Sequence, residues 1–193
     1  AMAVSEELIN FVQRLPKTET HLHLEGSCPI ELLDRYAPEL FGTTPYMWEE
    51  SFRYESFTHF TQLFAQVAQA VFTTPEAFHE CAKIVFQNCA NQNCRYIECS
   101  FHIGVLKQPG MHGPEVIDAI LAAAPEGVEV RVFVGMRHNS YDTETAPIIE
   151  DCVHWPKLTG IDLHGPEDLP LEAWTPRLWQ KARDAGKFLK AHA

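Results

Sequence analysis

Residues 18–25, TETHLHLE, alternate strictly: Glu19, His21, His23 and Glu25 fall on one face, and Thr20, Leu22 and Leu24 on the other. That period predicts a β-strand whose polar side chains all point one way. Upstream, Leu8, Phe11, Val12 and Leu15 recur at helical spacing, and Pro16 closes the segment. Residues 57–71 predict a helix with Phe57, Phe60, Phe64, Val67 and Val71 along one stripe. Thr74-Pro75-Glu76 opens another, with Phe78, Cys81, Val85 and Cys89 on its apolar side. Further strands are expected at 95–101, 129–136, 158–163 and 187–192, separated by helical stretches near 114–124, 143–153 and 175–185.

Strand and helix alternating in this way predict a parallel α/β architecture. The polar residues decide between its two forms. His21, His23 and Glu25 close the first strand, Asp162 and Gly165 the fourth, and His192 the fifth. In a TIM (β/α)8 barrel these ends meet at one mouth, whereas an open sheet would spread them along an edge. Three histidines at two strand ends therefore favour the barrel. A complete barrel takes about 250 residues and eight strands, and this chain of 193 residues supplies about five. The expectation is one domain over residues 1–193 that forms an incomplete barrel. Its fifth strand would be an open edge, so the chain alone is expected to unfold partly or aggregate.

Composition narrows the partners. Fifteen basic against 26 acidic residues give a net charge of −11, with no basic patch to displace counterions from nucleic acid or to seek an anionic membrane. A neutral small molecule suits the chain better. No apolar run reaches the roughly 18 residues that span a bilayer, and the N-terminal residues lack the pattern of a secretory signal. Cysteines 28, 81, 89, 94, 99 and 152 lack zinc-finger spacing and lie mostly in apolar segments. They read as reduced, buried thiols of a cytoplasmic protein.

The candidate chemistry rests on the histidines. With 10 His in 193 residues, chance alone gives roughly 0.5 His-x-His pairs, so the pair means little without its surroundings. On a strand, residues i and i+2 face the same way about 6.5–7 Å apart and can converge on one ion. A third ligand from another strand end, such as His192, would leave positions open for water, as catalytic zinc sites do. By spacing alone, His21 and His23 serve equally well as a hydrogen-bonded polar pair. His59, His79, His102, His112, His138, His154 and His164 fall mostly on helices or loops. Of these, His102 and His164 lie near strand ends and come closest to the mouth.

At these residues the sequence resembles the adenosine/adenine deaminase family of metal-dependent amidohydrolases. LPKTETHLHLEGS (15–27) is similar to that family's opening, GIDLHG (160–165) to its fourth-strand segment, and KAHA (190–193) to the start of its fifth-strand His-Ala-Gly-Glu motif. The helices and strand from Phe57 to Phe101 keep the family's order, so the resemblance runs from about residue 15 to the last. It implies a single divalent ion, zinc by preference, with His21, His23 and His192 as three of four expected protein ligands, the family's eighth-strand aspartates being absent from this chain. Asp162 would be a structural acid near the metal, and His23, Glu25 and Gly165 would contact a purine. The implied reaction is hydrolytic deamination of a 6-aminopurine to its 6-oxo product and ammonia. The family's proton-shuttling glutamate would fall two residues past Ala193, so no proton-transfer residue is expected within this chain. It would need a missing C-terminal segment or a second chain to work.

The sequence departs from the pattern at Glu25, where adenosine deaminases usually carry aspartate, and in ECSF (98–101), which lacks a following arginine. His164 and Pro166 also stand where small and acidic residues are common, and Pro166 offers no N–H. Two other readings remain: a barrel hydrolase of phosphoesters or cyclic amides, which would add a carboxylated lysine or a second metal, and a truncated, non-catalytic relative that binds metal or a partner chain.

Overall fold

The computed structural model describes residues 4–42 and 45–192; Ala193, the last residue of the KAHA motif, lies outside them. The elements in chain order are α1 (Glu6–Arg14), β1 (Lys17–His23), α2 (Ile30–Tyr36), α3 (Phe57–Val71), α4 (Pro75–Asn91), β2 (Cys94–His102), α5 (Gly113–Leu121), β3 (Glu129–Arg137), α6 (Ala146–Cys152), β4 (Gly160–His164), α7 (Trp174–Asp184) and β5 (Phe188–Ala191). Local signals set the helix starts. The side chains of Ser5, Ser56 and Thr74 accept hydrogen bonds from the backbone N–H groups of Leu8, His59 and Ala77 at 3.2, 3.0 and 3.2 Å, and Pro75 supplies a first-turn residue with no N–H to satisfy.

All five strands are parallel and pair in chain order, β1-β2-β3-β4-β5. A doubly wound sheet would reverse its order at a switch point; this one advances steadily, as a barrel wall does. The strands form part of a TIM barrel, five of its eight staves. The outer core joins sheet and helices: Ile97, Cys99, Phe101, Val132, Val134 and Ile161 pack with Phe78, Phe86, Ile117 and Ile120, all essentially out of water. On the concave side, Lys190 Nζ bonds the Glu98 carboxylate and the Thr20 carbonyl and lies 4.2 Å from the centre of the Phe133 ring. This contact ties the last strand to the first. Below it lies an open cavity of about 850 Å³ lined by Tyr96, Glu98, Phe133 and Phe188, and Phe188 is 69% exposed.

Several expectations need correction. β1 ends at His23, so Glu25 does not continue the alternation; residues Glu25–Ser27 form a turn of 3-10 helix that buries Glu25. β1 also slips register between Glu19 and Leu22, where the His21 N–H donates to Glu19 Oε1 at 3.2 Å. α2 lies outside the elements that the periodicity predicts. α3 has the expected limits but buries Leu63, Val67, Ala68 and Val71, leaving Phe57 and Phe60 exposed. The apolar stripe of α1 is exposed throughout. β5 stops at Ala191, although the His192 N–H still donates to the Leu163 carbonyl at 3.0 Å.

α7 is clipped to α6 through Glu150, which receives Arg177 at 2.6 Å and Lys181 and Tyr141 at 2.7 Å. The Arg177 bond leads in holding the carboxyl down to about 2. A depressed carboxyl stabilises the fold above the ordinary glutamate value, and that contribution is lost as pH falls towards about 2. Glu150→Gln should therefore cost about 1 kcal/mol at neutral pH, the scale of solvent-facing pairs, or about 2–4 °C in Tm. Thermal melts of both forms should converge near pH 2; a pH-independent difference would contradict the assignment.

Candidate metal centre

β1 and β4 aim their C-terminal side chains at one point. His21 and His23 project from β1, Asp162 from β4 and His192 from the residue after β5. Their donor atoms all lie within 4.8 Å of one another. His21 Nε2 is 2.9 Å and His23 Nε2 3.5 Å from Asp162 Oδ2, and His23 Nε2 is 3.0 Å from His192 Nε2. Three imidazoles and a carboxylate make a donor set suited to zinc and similar divalent ions. The structure thus brings together all three histidines that the sequence singled out as ligands, and adds Asp162 to them.

Asp162 has no exposed surface. Its Oδ2 accepts from the Ser100 hydroxyl at 2.8 Å as well as facing the imidazoles, while its Oδ1 is buried with no protein partner. A buried carboxylate oxygen without a donor is costly, and a cation among the same residues would relieve that cost. The residues present therefore fit a divalent ion. Burial is the main cause that lowers His23 to about 4, against the pull of Asp162, and keeps its imidazole in the neutral form that ligates metal.

A second shelf of polar groups borders the cluster. Glu25 is 2% exposed; its Oε1 accepts from the His102 backbone N–H at 2.7 Å, its Oε2 has no protein partner, and burial raises its carboxyl to about 7. His102 Nδ1 accepts from the Gly104 N–H at 2.9 Å, which leaves Nε2 to carry the proton of the neutral ring. Burial lowers His102 to about 4 and acts on His164 in the same direction, and both Nε2 atoms lack partners. The His164 ring lies 5.3 Å from His23 and 5.2 Å from His102, centre to centre. Gly165 follows at φ +109°, a conformation that favours glycine, and its open side faces Arg137. Glu25 also floors an aromatic cavity of about 170 Å³ walled by Trp48, Tyr54, Phe60 and Phe64.

Sequence reasoning missed Ser100, which anchors Asp162, and this wall. Nothing in the local pattern marks Ser100, because its role depends on β2 lying in register beside its neighbours. The wall did have a signal: a helix stripe with aromatic residues only at its N-terminal end. The cysteines form no disulfide, and burial pushes Cys28 and Cys152 up to about 12, which makes them poor nucleophiles. No helix among the described residues is long and apolar enough to cross a membrane.

Residues 16–193 match the family model described as adenosine deaminase. An adenine deaminase of Vibrio parahaemolyticus is 27% identical over 193 residues, an alignment covering 95% of this chain and 57% of that one. The crystal structure of adenine deaminase from Arthrobacter aurescens superposes with a TM-score of 0.75 at 22% identity, over 92% of this chain and 57% of that one. An amidohydrolase of Burkholderia ambifaria with bound zinc gives a TM-score of 0.70 at 20% identity, over 100% and 56%. The chain thus spans little more than half the length of the proteins it matches.

The His164 ring depends on Gly135 beside it on β3, where an added Cβ would come within 2.9 Å of His164 Nε2. Gly135→Ala should therefore destabilise the chain by about 1–3 kcal/mol, the usual cost of overpacking. In a His164→Ala background the same change should cost less than half as much. A double-mutant cycle from denaturant melts measures this coupling; additive effects would refute it.

Proposed function

Because the chain belongs to the adenosine deaminase family, we propose that it is the metal-binding part of an enzyme that hydrolytically deaminates a 6-aminopurine to the 6-oxo product and ammonia. The carrying observation is the convergence of His21, His23 and His192 on one point beside a buried acid. These histidines would hold a single divalent ion, with zinc favoured by the donor set and by the zinc bound in the Burkholderia relative. Once bound, the ion would supply an acidified water for attack on C6 of the purine.

The remaining chemistry belongs to the chain's own side chains. The Gly165 backbone and the His23 ring edge would meet the purine at the mouth. Glu25, whose carboxyl burial raises to about 7 so that protonated and ionised forms coexist near neutral pH, would donate as well as accept a hydrogen bond to the group carried on the purine ring. The aromatic wall would exclude water from that side. Asp162, fixed by Ser100, would orient the ligands. No residue of this chain is assigned the proton transfer, so catalysis would require a further segment or second chain, and the chain alone would be inactive. Free, buried thiols suit a reducing, cytoplasmic setting.

One observation weighs against a hydrolase that uses a carboxylated lysine. Lys190 is engaged with Glu98 and the Thr20 carbonyl, contacts that occupy the side-chain nitrogen on which a carboxylate would have to be built. Of the remaining readings, a non-catalytic relative would keep the metal and lose turnover.

Metal-loaded, full-length protein should convert adenine, adenosine or a related 6-aminopurine to the 6-oxo product, followed by absorbance and ammonia release. A chelator should abolish turnover, and His23→Ala should lower kcat/KM more than about 100-fold, beyond the range usual for residues outside the ligand set. Absence of product from every 6-aminopurine tested would remove the reading.

A further inference from the structure

We infer that Lys190 is a positioning residue: one ammonium, set a layer below the proposed ligands, fixes the three strands that carry His21, Ser100 and His192. The inference rests on the metal reading above and goes beyond it. Among the described residues Lys190 bonds to none of the ligand side chains, so it acts only through the backbone and residues that hold them.

The first observation is where its contacts lie in the chain. Side chains two residues apart on a strand share a face and stand about 6.5–7 Å apart along it. Lys190 comes two residues before His192, and Glu98 two before Ser100, whose hydroxyl bonds the Asp162 carboxylate. Lys190 Nζ bonds the Glu98 carboxylate and the Thr20 carbonyl. That carbonyl belongs to the same peptide group as the His21 N–H. Three strands are thus tied together one step before the residues they bring to the mouth.

The second is that β1 and β5 both lack other ties at this level. β1 pairs with β2 at Glu19↔Ile97 and resumes at Leu22↔Cys99, so Thr20 and His21 have no partner in the register. The His21 N–H turns to the Glu19 side chain, and the ammonium supplies the Thr20 carbonyl with the donor that the ladder does not. β5 is four residues long and pairs only with β4 among the described residues. Lys190 holds its other side, across which His192 Nε2 comes to 3.0 Å from His23 Nε2.

The third is how little freedom the ammonium has. The Lys190 and Glu98 side chains are 17% and 21% exposed, and the Phe133 ring centre lies 4.2 Å from Nζ. The other Glu98 oxygen accepts from the Tyr96 hydroxyl at 2.7 Å. Carboxylate, carbonyl and aromatic face together fix the cation from three directions.

The test uses the full-length protein. Lys190→Met keeps the length of the side chain and removes the ammonium. It should weaken zinc binding, read by competition with a chelating dye, about 10-fold or more, the lower bound for groups that support metal ligands from outside. In crystals of the metal-free variant the His23–His192 contact should open beyond hydrogen-bond reach. A lone Glu98 carboxylate would itself cost stability, so Glu98→Leu/Lys190→Met removes both charges, and it carries the test if Lys190→Met does not fold. Its Tm should return most of the way to that of the parent while zinc binding stays weak. Zinc binding that recovers together with Tm, an intact His23–His192 contact in Lys190→Met, or equal weakening in Glu150→Gln, which unclips α7 from α6, would overturn the inference and leave Lys190 a purely structural role. If the unaltered protein takes up no zinc, the metal reading falls, and the His23–His192 contact in the metal-free crystals alone decides the inference.

Discussion

Everything at the mouth of this sheet answers to one cost, that of keeping the Asp162 carboxylate out of water. Burying an ionised carboxylate costs several kcal/mol unless partners replace its hydration. Here the replacements come from three other strands. Ser100 reaches across from β2, His21 and His23 lean in from β1, and His192 stands close by after β5. Because β4 sits inside the sheet between β3 and β5, the acid lies beneath the point towards which the outer strands curl. Shift any of these strands by one residue and its side chain would turn to the other face, leaving the carboxylate bare.

Much of this was legible in the chain. Period-two alternation in TETHLHLE located β1 and put both histidines on one face, and the switch between strand and helix periods identified a parallel sheet. What the periods could not convey was where a strand stops. Glu25 keeps perfect alternation yet leaves the strand, because Leu24 turns into a 3-10 segment that aims the Glu25 carboxyl at the His102 backbone N–H. The same limit applies to α3. Its stripe of Phe57, Phe60 and Phe64 is as apolar as a core face, but the helix buries Leu63, Val67, Ala68 and Val71 instead, and Phe60 and Phe64 line a cavity. Ser100 could not be recognised from local pattern, since it matters through residues on neighbouring strands, and for His164 the pattern showed only a place near a strand end.

The two sides of the barrel wall use polar groups in opposite ways. Deep on the concave side, Lys190 and Glu98 neutralise one another, a pairing that fills space and carries charge without needing a ligand. At the mouth, burial favours the uncharged forms of Glu25, His102 and His164, and several of their polar atoms have no protein partner. That contrast leaves unpartnered donors and acceptors at the mouth, beside the buried Asp162 carboxylate.

The closeness of His23 and His192 has a consequence for how the chain is held together. The two residues are 169 positions apart, and no strand pairing joins β1 to β5. An ion gripping both would act as a cross-link, removing from the unfolded chain the freedom of a very long loop. By the chain-entropy model used for disulfides, a closure of that length is worth on the order of 5 kcal/mol, comparable to the whole net stability of many small proteins. A sheet with two unpaired edges would then be held at one rim by that clasp as well as by the Lys190 contact, and losing the clasp would loosen the wall as well as the chemistry.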